Sequence, residues 1–167
     1  VCFGGTDPTN ETLKALRALD AGEFADLNVH VVIGRTHSRL EQITEKCRLH
    51  PRIHLHIQTN RMAMLMAESD LALCAGGTMT WERYCMGLPG IVIAVADNQI
   101  ELAKTSQQIG VDWYLGESAQ VDTETVRLAL LKAMNSPDRI RQGQLEAMAR
   151  VDGLGADRVA DIMFGLK

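Results

Sequence analysis

Residues 76–99 read GGTMTWERYCMGLPGIVIAVADNQ. The glycine pair Gly76-Gly77 follows an apolar run over 71–75, and Thr78 leads into a helical pattern over 79–86. Gly87-Leu88-Pro89 ends that helix, because proline cannot continue it. The next run, 91–95, is apolar on both faces, as in a strand buried on both sides rather than one that faces water. Strand, glycine turn, helix, stop, strand is the repeating unit of a parallel sheet.

Outward from this stretch the same alternation fills most of the chain. Strands are expected over 1–3, 29–33, 53–57, 71–75, 91–95 and 112–115, with helices over 11–19, 38–49, 62–68, 79–86 and 99–109. The last third reads as helical over 123–134, 137–149 and 156–164. Right-handed crossovers then give an α/β fold: a doubly wound, mostly parallel six-stranded sheet with helices on both faces and a helical C-terminus. Asp7-Pro8 can turn the chain into the first helix with Asn10 as its cap, and Asp122 caps a later one. No internal repeat, low-complexity tract or linker divides the 167 residues, so one domain is expected.

Composition narrows the function classes. Hydrophobic residues make up 46% and charged residues 23%, as in a globular protein, and the net charge of −4 argues against a general nucleic-acid or membrane-surface role. No apolar run reaches the roughly 20 residues of a membrane span, and no signal peptide is visible. Cys2, Cys47, Cys74 and Cys85 are dispersed without CxxC spacing and read as reduced thiols of a cytoplasmic protein. The chain opens inside a strand with no initiator Met, which points to a piece of a longer polypeptide.

In open α/β sheets ligands bind beyond the carboxyl ends of the strands. The loops there are Gly4-Gly5-Thr6-Asp7, Gly34-Arg35-Thr36, Gln58-Thr59-Asn60-Arg61, Gly76-Gly77-Thr78 and Ala96-Asp97-Asn98-Gln99, all polar or glycine-rich. A glycine pair that opens a helix suits a nucleotide diphosphate, since the backbone can approach and free N–H groups face the phosphates. Glu82, one turn beyond Thr78, would accept hydrogen bonds from ribose hydroxyls. The alternative makes Thr78 a plain helix cap and Glu82 a solvated acid of the first turn. Asn98 and Gln99 suit a sugar's hydroxyl or acetamido groups.

Other chemistries lack their patterns. No GxGxxG, no Gly-Lys-Ser/Thr, no Ser/His/Asp or Cys/His arrangement and no paired-carboxylate motif stands out. His54 and His56 alternate on one strand face, but no third ligand lies at motif spacing, so packing is the preferred reading and no metal is expected. His30, His37 and His50 stand alone. Met62, Met64 and Met66 read as helix packing, with Met62 near enough to a base to touch it, and Trp81, Tyr84 and Cys85 as helix-to-sheet core.

The residues Phe3-Gly4-Gly5-Thr6-Asp7-Pro8, Thr12-Leu13-Lys14, 66–70, Ala75-Gly76-Gly77-Thr78, Trp81-Glu82, Gly87-Leu88-Pro89 and Asn98-Gln99 follow one another in a familiar order. Over residues 1–110 this order resembles the C-terminal half of a glycosyltransferase-B fold, and within it the UDP-2,4-diacetamido-2,4,6-trideoxy-β-L-altropyranose hydrolase family of pseudaminic acid biosynthesis. Gly76, Glu82 and Gly87-Leu88-Pro89 are also similar to the GlcNAc transferase that makes the peptidoglycan lipid precursor. That family continues with an Asn-Ala pair near the place where Ala103-Lys104 stands here.

The hydrolase resemblance implies a UDP-binding C-terminal domain (1–167) of a two-domain enzyme that releases UDP and free sugar without a cofactor. It implies Ile57 and Met62 on the uracil, Glu82 on the ribose, Gly77, Thr78 and Met79 at the diphosphate, and Gly76 among the substrate-binding residues. Gly5 and Thr6 would lie across the cleft, with Asn98 and Gln99 on the sugar. The catalytic base would belong to the N-terminal half, so this chain alone would bind nucleotide without turnover. The expected partners are a UDP-linked sugar and that N-terminal domain; the alternatives are the donor-binding half of a UDP-GlcNAc-type glycosyltransferase or a non-catalytic nucleotide-binding module.

Overall fold

A computed structural model describes residues 1–165. Four runs rich in Val, Ile, Leu and Ala and an aromatic one form parallel strands: β1 Val29–Ile33, β2 Ile53–Ile57, β3 Ala72–Ala75, β4 Gly90–Ala94 and the aromatic β5 Trp113–Glu117. They are arranged as a two-stranded sheet, β1-β2, and a three-stranded sheet, β3-β4-β5, rather than the expected single sheet of six. The missing strand is 1–3. It makes only one bridge, Cys2 to Cys74, because Gly4 with φ +91° turns the chain away before a ladder can build. The segment nonetheless bonds to both sheets: Cys2 N–H donates to Leu73 O at 3.0 Å, and Val32 N–H donates to Val1 O at 2.9 Å.

The connecting helices are α1 Glu11–Leu19, α2 Leu40–Arg48, α3 Met62–Ala67, α4 Met79–Cys85 and α5 Ile100–Gln108. Three more follow: α6 Thr123–Met134, α7 Pro137–Met148 and α8 Gly155–Phe164. Helices cover both faces of the three-stranded sheet. Leu73, Ala75, Ile91 and Ile93 point to α1 and α6, where Ala15, Ala18, Val126 and Leu130 meet them. Their alternates Cys74 and Val92 face Ala103 of α5. The period of two along each strand decides which helix each residue meets. Fully burying a Leu or Ile in such a layer contributes about 1.5–3 kcal/mol. A second cluster joins Leu13 and Leu16 of α1 to Val31 and Ile33 of β1 and Ile43 of α2.

Asp122 caps α6 as expected, its Oδ1 accepting the Thr125 N–H at 2.7 Å. Asn10 does not cap α1. It sits in the left-handed region at φ 60°, and its side chain makes no cap bond. Asp7 takes that role instead, with Oδ1 on the Glu11 N–H at 3.0 Å and Oδ2 on the Thr12 N–H at 2.7 Å. All four cysteines carry free thiols. No helix among the described residues is long and apolar enough to cross a membrane.

Candidate functional site

The turn from β3 into α4 leaves its backbone donors open. The amides of Gly77, Thr78 and Met79 donate to no acceptor among the described residues, while the carbonyls of Gly77 and Thr78 accept from Thr80 and Trp81 at 3.0 and 3.1 Å. Thr78 is helical, exposed and makes no side-chain cap. The Glu82 carboxylate, exposed one turn along, carries no ion pair or hydrogen bond among the described residues. A Cβ on Gly76 would stand 3.3 Å from Val92 and 3.4 Å from Gln99. Glycine therefore lets the turn close onto the start of α5. The Gln99 side chain lies there: its Oε1 accepts the Val95 N–H at 3.1 Å, and its Nε2 faces Gly77.

Beneath this turn α4 is pinned by a buried polar cluster. Arg83 donates to Asp112 through both terminal nitrogens at 3.0 and 2.9 Å and to Leu88 O at 2.7 Å. Asp112 also accepts the Gly90 N–H at 2.6 Å and the Tyr84 hydroxyl at 3.3 Å, and bonds to Ser106. Burial opposes the charge on Arg83, but the paired Asp112 carboxylate outweighs it and holds the guanidinium protonated. Burial, and then the Asp112 charge, push the Tyr84 hydroxyl up to about 12. Burial likewise pushes the Cys74 thiol up to about 11. The expected core stripe is corrected in part: Tyr84 is buried, but Trp81 and Cys85 are exposed, because α4 turns that edge outward.

The first loop meets the second by close approach. Gly34 N–H donates to Gly5 O at 3.0 Å, and a Cβ on Gly34 would fall 2.6 Å from that oxygen. Gly5 and Thr6 stay exposed above the contact. Asp7, strained at φ 39° and buried, lies with its Oδ2 3.5 Å from His37 Nε2. On the far side Ile57 ends β2 exposed and Met62 begins α3 half-buried. Met62 and Met79 line one small crevice between their helices. Asn98 is exposed in the helical turn Asp97–Gln99. The structure thus joins Gly76, Gly77 and Gln99 by contact and sets Thr78 and Glu82 on one helix. Among the described residues no hydrogen bond or ion pair ties Ile57, Met62 or Asn98 to them.

The model of the glycosyltransferase family 28 C-terminal domain matches residues 1–160. The chain belongs to this family. It is 31% identical over 164 residues to the spore coat polysaccharide biosynthesis protein SpsG of Bacillus subtilis, covering 98% of this chain and 48% of SpsG. It is 30% identical over 142 residues to a UDP-N-acetylglucosamine–N-acetylmuramyl-(pentapeptide) pyrophosphoryl-undecaprenol N-acetylglucosamine transferase of Salinibacter ruber, covering 76% of this chain and 38% of that protein. The crystal structure of WaaG, a glycosyltransferase involved in lipopolysaccharide biosynthesis, superposes with a TM-score of 0.69 at 20% identity. That match covers 96% of this chain and 46% of WaaG, and it shows the shared fold, a Rossmann-like half of the glycosyltransferase-B type. The chain spans about half the length of SpsG.

Within the family 28 domain, sequence reasoning missed the residues that hold the site in place. Arg83 and Asp112 are 29 positions apart, and only the fold joins them. Glu11, wholly buried, accepts from the Ser118 hydroxyl at 2.6 Å and from Lys14 at 2.9 Å, tying α1 to the turn after β5. His30 does not stand alone either: a 2.9 Å hydrogen bond joins its Nδ1 to His56 Nε2, and its ring lies 5.3 Å from that of His54. Burial, then His54, lowers the pKa of His30, and burial, then His30, lowers that of His56. Among the described residues no group of three or more His, Cys, Asp or Glu is placed to hold a metal.

Proposed function

We propose that this chain is the UDP-sugar-binding C-terminal half of a two-domain cytoplasmic enzyme of glycan biosynthesis. The observation that carries the reading is the set of amides at Gly77, Thr78 and Met79 and the Glu82 carboxylate one turn away, all without a partner among the described residues. Unpaired N–H groups at the start of a helix are donors for diphosphate oxygens, and they stabilise charge on a departing UDP without a metal. Glu82 takes the ribose hydroxyls, Ile57 and Met62 flank the uracil, and Gly5 and Thr6 close the cleft over the phosphates. Gln99 spends its oxygen on Val95 and keeps its amide donors for the sugar beside Asn98.

Two reactions fit this half. Transfer to an acceptor is supported by the family itself and by the Salinibacter relative, whose name specifies an N-acetylglucosamine transferase. Hydrolysis, as in the diacetamido-sugar hydrolase of pseudaminic acid biosynthesis, is supported by Phe3-Gly4-Gly5-Thr6-Asp7-Pro8 and the Asn98-Gln99 ending. In the hydrolase reading the catalytic base comes from the N-terminal half, so this half alone binds without turnover.

Amide NMR spectra recorded during UDP titration test the site. The signals of Gly77, Thr78 and Met79 are expected to move first. Shifts confined to other parts of the chain would refute the assignment. With the two-domain protein, UDP release that needs no acceptor marks the hydrolase, and release that depends on an acceptor marks the transferase.

A further inference from the structure

A groove of about 600 Å³ opens where α1, α2 and α6 begin, and it shares no residue with the proposed donor site. Lys14 and Arg17 line it from one stripe of α1, three residues apart, and Asn10 from the residue before that helix. Arg39 and Gln42 face them from the start of α2, and Asp122 from the turn before α6. Among the described residues half of the twelve arginines pair with a carboxylate and half do not, and two of the second kind meet in this groove. Arg48, Arg52, Arg83, Arg127, Arg150 and Arg158 each pair with a carboxylate. The guanidinium groups of Arg17 and Arg39 pair with nothing among the described residues.

The other charges in the groove are already committed. Lys14 is held by Glu11 at 2.9 Å and Ser118 O at 3.1 Å, so that pair nearly cancels. Asp122 accepts both the amide and the hydroxyl of Thr125 at 2.7 Å. Two free guanidinium groups therefore outweigh one occupied carboxylate. Asn10 adds a second kind of group. Its Oδ1 is buried without a hydrogen-bond partner, an acceptor that needs a donor.

We propose that this groove binds a phosphorylated saccharide, with Arg17 and Arg39 on the phosphate and Asn10 and Gln42 on sugar hydroxyls. Planar guanidinium forks match phosphate oxygens in pairs. Bare phosphate would leave most of the groove empty, whereas a phosphorylated saccharide fills it and brings hydroxyls to Asn10 and Gln42. The site is independent of the donor reading, and either can fail without the other.

The test titrates glucose 1-phosphate, inorganic phosphate and UDP calorimetrically into the protein and into the double variant Arg17→Gln/Arg39→Gln. Both side chains are exposed and unpaired, so circular dichroism should show an unchanged fold. Glucose 1-phosphate is expected to bind more tightly than phosphate and to weaken at least tenfold in the variant, with UDP affinity unchanged. Equal glucose 1-phosphate affinity in the variant would overturn the proposal, and so would phosphate binding as tightly as the sugar phosphate. Vesicles of phosphatidylglycerol form the second arm. Retention on them that vanishes in the variant, with no binding of glucose 1-phosphate, would overturn the proposal in favour of a lipid headgroup.

Discussion

A methyl group on Gly34 would stand 2.6 Å from the carbonyl oxygen of Gly5, so a single carbon decides whether two loops can touch. The neighbour is backbone and can yield only by moving the loop that carries Gly5 and Thr6. Gly34→Ala is expected to cost about 1–3 kcal/mol, the usual penalty of overpacking, read as a lower thermal midpoint. An unchanged midpoint would show that the loops part freely. Glu82 is the converse case: exposed and without a partner among the described residues, it contributes little to the fold. Hydrogen bonds to a charged group contribute about 1.5–3 kcal/mol, so Glu82→Ala should weaken UDP binding at least tenfold at an unchanged midpoint. The glycine turn and the exposed position of Glu82 on the helix after it were legible in the sequence because turn and helix-start signals are local. The contact between Gly5 and Gly34 was not, since nothing in either loop announces which backbone it will meet.

Helix α4 shows how an element is aimed. It is seven residues long, too short to hold its direction by its own hydrogen bonds, and the Arg83–Asp112 pair ties it to β4 and β5. Removing one partner strands a buried charge, so Asp112→Ala is expected to destabilise by about 3–5 kcal/mol in chemical denaturation. A loss below 1 kcal/mol, the order expected of a surface pair, would mean the cluster is not what fixes α4. Helix and strand positions were readable because periods of 3.6 and two are strong signals, and β1 and β2 have the expected bounds. The first strand was not readable. Val1, Cys2 and Phe3 are apolar like a strand, but the turn at Gly4 ends the segment before pairing can spread. The cap of α1 went to Asp7 rather than Asn10 for a similar reason: Asn10 took a left-handed conformation that points its side chain elsewhere.

At the scale of the whole molecule, helices on both faces of the three-stranded sheet leave its carboxyl ends open, and the polar loops gather there as the α/β rule requires. The sequence showed that end of the sheet but not the cluster of His30, His54 and His56, which forms only when β1 pairs with β2. That cluster sets a pH response. Both His30 and His56 have folded-state pKa values below their ordinary 6.5, so the unfolded chain takes up protons first as pH falls. Their contribution is present above that value and is lost as pH drops through the lowered one. The thermal midpoint should therefore fall between about pH 7 and about pH 5, and the fall should shrink in His30→Gln/His56→Gln. A double variant with the full pH dependence would assign the effect to other groups.

The site itself is tested most directly by calorimetric titration of UDP, CMP and ADP into the protein and into Glu82→Ala. Selective binding of UDP, weakened at least tenfold in a folded Glu82→Ala, is the expected result. UDP bound equally by both proteins, or no preference among the three nucleotides, would contradict the assignment of the Gly76–Glu82 turn as a UDP site.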